Sequence, residues 1–158
     1  MEENKISLLR QREIEMRIVA PLLRAFAAEF GEERTSEIAR RVIMESAAAS
    51  GAEIADLCGK GLESFRKNCL PKFEEGGALE VNIIEDTDET LRFDVTRCKF
   101  AELYEELGCR DIGELFSCDR DFSFARGFDN EIEFTRTKTL MSHGSCCCDF
   151  CYRKHGKC

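Results

Sequence analysis

The chain has 158 residues, ten of them cysteine, and its 31 acidic side chains outnumber 23 basic ones to give a formal net charge of −8 at pH 7. A chain of this length buries roughly 70% of the surface that its unfolded form exposes, so we expect a single domain, residues 1–158, that folds without a disulfide or metal. The negative charge and the lack of a Lys/Arg block exclude nucleic acid and anionic membranes as expected partners.

The sequence contains no apolar run typical of a secretion signal or a membrane span. The start, MEENKISLLRQRE, lacks an apolar segment, and nowhere are there about 18 consecutive apolar residues. We therefore predict a soluble, cytoplasmic protein whose partner is a small-molecule substrate, and a homo-oligomer remains open. In that compartment the cysteines are expected to be reduced thiols, some of them catalytic or metal-binding.

Three helices are predicted in the first half of the chain, residues 1–75. The first runs from Ile6 to Phe30, the second ends at Gly51, and the third ends at Leu70-Pro71, because proline disfavours helical backbone before it. Apolar residues at spacings of three and four predict one buried face on the first helix. These residues are Leu8, Leu9, Ile14, Ile18, Val19, Leu22, Leu23, Phe26 and Phe30.

The second half, residues 76–153, begins with an alternating pattern that predicts a β-hairpin with its turn at residues 86–89. A short helix is predicted over residues 99–108. Cys98 lies at its first turn, where the helix dipole is expected to lower the pKa of the thiol. A further helical turn, residues 111–115, precedes Cys118, and residues 154–158 form a polar tail.

The segment from Glu131 to Tyr152 is predicted to form a second hairpin, two strands joined by a glycine turn, and it holds four cysteines, His143 and Asp149. The order of elements predicts an α+β fold. In this fold N-terminal helices pack on a roughly four-stranded antiparallel sheet, with short helices between the two hairpins.

Two groups of side chains are candidates for chemistry. Cys118-Asp119-Arg120-Asp121 places a nucleophile, a cation and two carboxylates within four residues, although a surface turn with an internal ion pair explains the same pattern. Cys98, Cys118 and Cys148, completed by His143 or water, could bind zinc through three thiolates. The single CxxC pair, Cys148 with Cys151, is weak evidence for zinc.

The segments FDVTRCKFAELYEELG, LFSCDRDF and TRTKTLMSHGSCCCDFCYR closely resemble the L-2-amino-thiazoline-4-carboxylic acid hydrolase family, and EIEMRIVAPL and GGALEVNIIEDTDETLRF fit it too. The resemblance implies a hydrolase acting on a carbon-nitrogen bond in a cyclic amidine, with water added at the ring carbon to give N-carbamoyl-L-cysteine. Gly144, Cys148 and Phe150 also resemble the end of vinyl-reductase-type small-molecule-binding domains. Matching family positions are Cys98, Cys118, Arg120, Asp121, Cys148 and Asp149.

The sequence also departs from the family pattern near its end. Cys146, Cys147 and Cys151 add thiols, and His143 lies beside a one-residue insertion before Gly144. These differences alter the mouth of the expected site and leave the substrate undetermined.

Side-chain chemistry suggests roles for the matching residues. Asp121, among phenylalanines, is predicted to have a raised pKa and to act as general base. Arg120 is expected to bind the substrate carboxylate as a bidentate pair. Cys118 would attack the amidine carbon as a thiolate, or bind a metal that activates water. Cys98 and Cys148 are predicted to complete the catalytic group, and Asp149 and His143 to bind substrate.

Two other functions use the same cysteines. A non-catalytic small-molecule or metal-binding domain would use them as ligands. A redox sensor would form a disulfide among residues 146–151, although adjacent cysteines are poorly placed for an unstrained bond.

Overall fold

The computed structural model describes residues 6–142 and 144–155 and confirms the predicted α+β fold. Four strands form one antiparallel sheet: β1 (Leu79–Asp86), β2 (Thr90–Cys98), β3 (Ile132–Thr135) and β4 (Cys148–Lys154). Their order across the sheet is β1-β2-β4-β3. Two of the predicted site residues, Cys98 and Cys148, therefore lie on neighbouring central strands.

The helical half contains four α-helices: α1 (Leu8–Phe30), α2 (Glu32–Cys58), α3 (Leu62–Asn68) and α4 (Leu70–Glu74), followed by a 3-10 turn (Glu75–Gly77). The predicted end of the first helix at Phe30 is confirmed, and α3 ends at Asn68, two residues before the predicted Leu70-Pro71, but the predicted end of the second helix at Gly51 is wrong. Gly51 lies inside α2, and Pro71 lies in the first turn of α4. Proline is tolerated there because the first helical N–H groups have no partner within the helix.

Gly51 stays inside α2 because another helix crosses it closely. That helix is α7 (Arg120–Phe128), and a Cβ atom built on Gly51 would lie 2.2 Å from the carbonyl oxygen of Phe124. Gly127 makes the same kind of contact from α7, since a Cβ atom built on it would lie 2.1 Å from the carbonyl oxygen of Ala48 in α2. The two glycines thus let the backbones of α2 and α7 come into contact. Gly51 serves this contact and does not end the helix as predicted.

The buried face of α1 also differs from the prediction. Its buried residues are Arg12, Met16 and Ala20, spaced four apart, with Val19 and Leu23 partly buried beside them. Every fourth residue from Ile14 to Phe30 forms a ridge that is 42–63% exposed. The apolar residues of α1 cover more of its circumference than one neighbouring helix can bury.

Between the two hairpins the chain forms α5 (Lys99–Glu106), α6 (Arg110–Gly113), a π-helical turn (Glu114–Cys118) and then α7. The second hairpin forms with β3 and β4 antiparallel, but residues 136–147 make its connection longer than a glycine turn. The π-helical turn and this long connection carry the side chains of the site described below.

Two buried clusters hold the molecule together. One joins the sheet to α2, α3 and α7 through Phe65, Phe93, Phe128 and Tyr152, all at most 1% exposed. The other joins α1 to α5 and the π-helical turn, around Met16 and Tyr104. Within the part of the chain that the structure describes, no helix is both long and apolar enough to cross a membrane.

Candidate active site

A cleft of about 760 Å³ lies between the helical half and the sheet. Its walls come from the first turns of α1, one face of α2, α4, the sheet, the π-helical turn and α7. Five predicted site residues line it: Cys98, Cys118, Arg120, Asp121 and Cys148. A volume of this size is typical of a small-molecule site.

The charged centre of the cleft is the ion pair between Asp121 and Arg136. Arg136 Nη1 donates to Asp121 Oδ2 at 2.9 Å, and Nη2 donates to the carbonyl oxygen of Cys118 at 2.9 Å. The Arg136 side chain is only 5% exposed, and its guanidinium lies 5.3 Å from the ring centres of Phe122 and Phe150. These contacts fix the cation, so Arg136 positions the carboxylate of Asp121.

Asp121 has the ionisation of a base that works near neutral pH. Burial raises the pKa of Asp121 to about 6, although Arg136 acts to lower it. Oδ1 of this carboxylate accepts no hydrogen bond from any residue in the described ranges. The carboxylate is thus mostly ionised at pH 7, with one oxygen available in the cleft.

Two thiols meet at the hydroxyl of Thr139. Cys118 Sγ lies 3.3 Å and Cys148 Sγ 3.8 Å from Thr139 Oγ1, and Leu140 N–H donates to Cys148 Sγ at 3.1 Å. Burial raises the pKa of the Cys118 thiol to about 12 and raises that of Cys148 as well. Both side chains are therefore neutral thiols near pH 7.

The thiol of Cys98 does not have the lowered pKa that its place at a helix start predicted. Cys98 precedes α5, and backbone N–H groups of residues 100 and 101 favour the thiolate, but burial outweighs them and raises the pKa to about 11. The free energy lost by removing the thiolate from water exceeds the stabilisation that the helix N-terminus gives it. That expectation is corrected by the structure.

Three further charged side chains line the cleft, those of Arg12, Glu15 and Arg120. Arg12 is 6% exposed and forms an ion pair with Glu15 one turn later, and both line the cleft. Arg120 lines it too, and none of the described residues accepts a hydrogen bond from its guanidinium. Arg120 does not pair with Asp121 as an internal turn would require, because Arg136 takes that position.

Asp149 lies outside the cleft because side chains alternate along β4. Cys148 and Phe150 line the cleft, while Asp149 lies on the other face of the sheet. There its carboxylate accepts hydrogen bonds from the backbone N–H groups of Thr137, at 2.8 Å, and Lys138, at 2.6 Å. Asp149 therefore holds the connection between β3 and β4 in place.

The extra thiols also lie away from the cleft. Cys146 is exposed, Cys147 is half-buried, and their Sγ atoms are 3.8 Å apart, while Cys151 shares the outer face with Asp149. The predicted role of His143 falls outside the described residues. Across residues 6–142 and 144–155, no three His, Cys, Asp or Glu side chains are grouped as metal ligands. The predicted site of Cys98, Cys118 and Cys148 with His143 stays a prediction, because His143 lies outside these ranges.

Sequence reasoning missed Arg136, Thr139, Arg12 and Glu15. Arg136 and Thr139 lie in the segment TRTKTLMSHG, which resembles the hydrolase family, but the resemblance implies no role for either residue. The usable signal for Arg12 was its spacing of four from Met16 and Ala20, which marks the buried face of α1. A buried arginine on that face requires an acidic or ligand partner.

Comparison with known proteins shows the family of this chain. The profile of the family described as L-2-amino-thiazoline-4-carboxylic acid hydrolase matches residues 11–152, most of the chain. The chain belongs to this family. Its name supports a hydrolase function in general, and all the cleft residues discussed above lie within the matched range.

Other comparisons add little. A search of curated proteins found no significant match. Among solved structures, the chain is similar to the phenol-responsive sensory domain of the transcription activator PoxR, crystallised with phenol, at 14% identity. That match covers 86% of this chain and 72% of the other, with a TM-score of 0.45. The likeness is too low to carry an argument about function.

Proposed function

We propose that this member of the L-2-amino-thiazoline-4-carboxylic acid hydrolase family opens a small cyclic amidine such as L-2-amino-thiazoline-4-carboxylate, giving an N-carbamoyl amino acid. The observation that carries the proposal is the carboxylate of Asp121, which has a pKa of about 6 and is held by Arg136 in a cleft of about 760 Å³. Hydration of an amidine needs a base ionised near neutral pH next to the reacting carbon.

The chemistry follows from the product. Asp121 takes a proton from water as the water oxygen bonds to the ring carbon of the protonated amidine, and the electrons of the carbon-nitrogen double bond pass to the ring nitrogen. The ring carbon-sulfur bond then breaks, sulfur takes the proton back from Asp121, and the hydroxyl on carbon loses its proton to solvent. The carbon-nitrogen double bond is hydrated, and the bond that opens is the one to sulfur.

We assign substrate orientation to Arg120, whose guanidinium has no hydrogen-bond acceptor among the residues that the structure describes. Arg120 lines the cleft beside Asp121, and its planar guanidinium suits a bidentate pair with the substrate carboxylate. Arg136 already donates to Asp121 and to the Cys118 carbonyl, so we assign the substrate carboxylate to Arg120.

The thiols of Cys98, Cys118 and Cys148 contact the substrate as neutral groups in this proposal. Burial raises the pKa of Cys118 to about 12, so its thiolate is scarce at pH 7. Activated water is therefore favoured over attack by sulfur.

The test is ring opening of L-2-amino-thiazoline-4-carboxylate followed by NMR. Asp121→Asn should lower kcat/KM by roughly 10²–10⁴, while Glu133→Gln, a change in an exposed carboxylate of β3 that does not line the cleft, should leave it unchanged. Cys118→Ala should keep turnover within about tenfold of wild type. Loss of turnover in a folded Cys118→Ala variant would replace activated water with covalent attack by sulfur, and no turnover by the wild type would refute the proposed substrate.

A further inference from the structure

The cleft is longer than the ring that the proposed reaction opens. Residues Val42, Ser46, Ser50 and Ile54 of α2 all line it, at every fourth position. Twelve residues of helix at 1.5 Å each span about 18 Å. A thiazoline carboxylate has about nine non-hydrogen atoms, whereas a cleft of this volume holds a drug-sized ligand.

The reacting groups occupy one end of this length. Arg40 of α2 pairs with Asp119, which places the first turns of α7, and hence Asp121, beside the Val42 end of the α2 wall. Gly51 packs on the backbone of Phe124, which places the following turn of α7 beside the Ile54 end. The Val42 end of the cleft therefore lies beside Asp121, and the Ile54 end lies beside the turn of α7 that contains Phe124.

The far end is apolar and incompletely buried. Ile54, Phe73, Leu79 and Phe124 line the cleft there and pack against the sheet cluster, yet all four remain partly exposed. The Phe73 and Phe124 rings meet edge to face, with centroids 6.1 Å apart. Apolar surface left open at the end of a cleft favours an apolar ligand group that would exclude water from it.

We infer that the substrate is a two-part molecule: a polar amidine head at Asp121 and an apolar tail that lies along α2 to Ile54, Phe73, Leu79 and Phe124. This inference rests on the proposed function, since the head is the group that the proposed reaction acts on. The tail is an alkyl or aryl substituent, because these four residues present rings and branched aliphatic side chains to it, while the charged residues that line the cleft beside Phe73, Lys72 and Glu75, are exposed to solvent.

The test compares two analogues of the proposed product that cannot react further, N-carbamoyl-L-alanine and N-carbamoyl-L-2-aminononanoate, which differ by six CH₂ groups. Each fully buried CH₂ is worth about fourfold in affinity, so half of them buried gives roughly 50-fold. Isothermal titration of the wild-type protein should show that gain for the longer compound. Affinities within threefold of each other, or no binding of either compound, would overturn the inference.

Two variants at neighbouring positions locate the tail. Ser50→Phe fills the cleft midway and should reduce the gain to under threefold, whereas Ala49→Phe places the same ring on the exposed side of α2 and should preserve it. Leu79→Asn, at the far end, provides a second variant and should reduce the gain about fivefold or more. An undiminished gain in a folded Ser50→Phe or Leu79→Asn variant contradicts the assigned path.

Turnover of L-2-amino-thiazoline-4-carboxylate, measured on the same samples, separates the two proposals. Tail-dependent binding without turnover refutes the hydrolysis and leaves the assigned tail path standing. Turnover without tail-dependent binding refutes the tail and leaves the hydrolysis standing.

Discussion

Replacing Arg136 with methionine should move the ionisation of Asp121 upward without displacing the carboxylate from the cleft. The guanidinium lies 2.9 Å from the carboxylate, where two unit charges attract by about 6 kcal/mol at an effective dielectric constant of 20. Measured shifts beside an arginine are smaller, about 1–3 pKa units. The pKa of Asp121 should therefore rise from about 6 to roughly 7–9 in Arg136→Met.

The assay is the pH dependence of kcat/KM, together with a ¹³C NMR titration of the Asp121 carboxyl, which needs no substrate. Wild-type activity should fall as pH drops below about 6. Arg136→Met should lose about tenfold at pH 7 and recover towards pH 9, because a base must be ionised to accept a proton.

Arg120→Met is the matched control for this prediction. It removes a cation from the same cleft that does not bond to Asp121, so it should raise KM and leave the acid limb of the profile in place. An unchanged limb and an unchanged carboxyl titration in Arg136→Met would refute the assignment of Arg136 as the residue that positions and tunes Asp121.

Three further predictions concern stability. Because the pKa of Asp121 is raised, the folded state holds its proton more tightly than the unfolded state. The contribution of Asp121 to the free energy of unfolding is therefore greatest below pH 4 and declines by up to about 3 kcal/mol as pH rises through 6. The midpoints of urea unfolding should show this decline in the wild type but not in Asp121→Asn. Gly127→Ala should destabilise the fold by about 1–3 kcal/mol despite the higher helix propensity of alanine, since its Cβ meets the Ala48 carbonyl, and a calorimetric Tm equal to wild type would contradict that packing. Burial acts to raise the pKa of Asp149, but its hydrogen bonds from Thr137 and Lys138 outweigh burial and lower the pKa. Asp149→Asn should therefore reduce the free energy of unfolding by about 1–2 kcal/mol at pH 7, and by less as pH falls and the wild-type carboxylate is protonated.

The order of elements could be predicted from the sequence because local patterns carry it. Alternation in residues 79–95 and in residues 132–152 predicted the strands, and both hairpins lie in one antiparallel sheet. The ends of the helices were harder to predict from local patterns. Gly51 looked like a break because a lone glycine in a helical pattern carries no sign of the second helix that needs it, and the crossing partner, Gly127, lies 76 residues away.

The buried side of α1 shows the same limit. Its apolar residues are numerous enough to define several stripes, and periodicity predicted one buried face from nine of them. Leu8, Leu9, Val19 and Leu23 are partly buried, whereas the ridge from Ile14 to Phe30 is exposed. The face that packs carries Arg12, Met16 and Ala20, since small and flexible side chains fit against the neighbouring elements.

For the site, the sequence by itself determined which chemistry was available: a carboxylate among aromatic residues, an adjacent arginine, and cysteines in three separate segments. Those residues follow from composition and from the likeness of those segments to the hydrolase family, and five of them, Cys98, Cys118, Arg120, Asp121 and Cys148, line one cleft. Only the tertiary structure decided their states. Burial raises the pKa values of Cys98 and Cys118 and so keeps both thiols neutral, and it raises the pKa of Asp121 to about 6. Its partner is Arg136, 15 residues along the chain, because ion pairing depends on distance in space and desolvation depends on every element packed around the group.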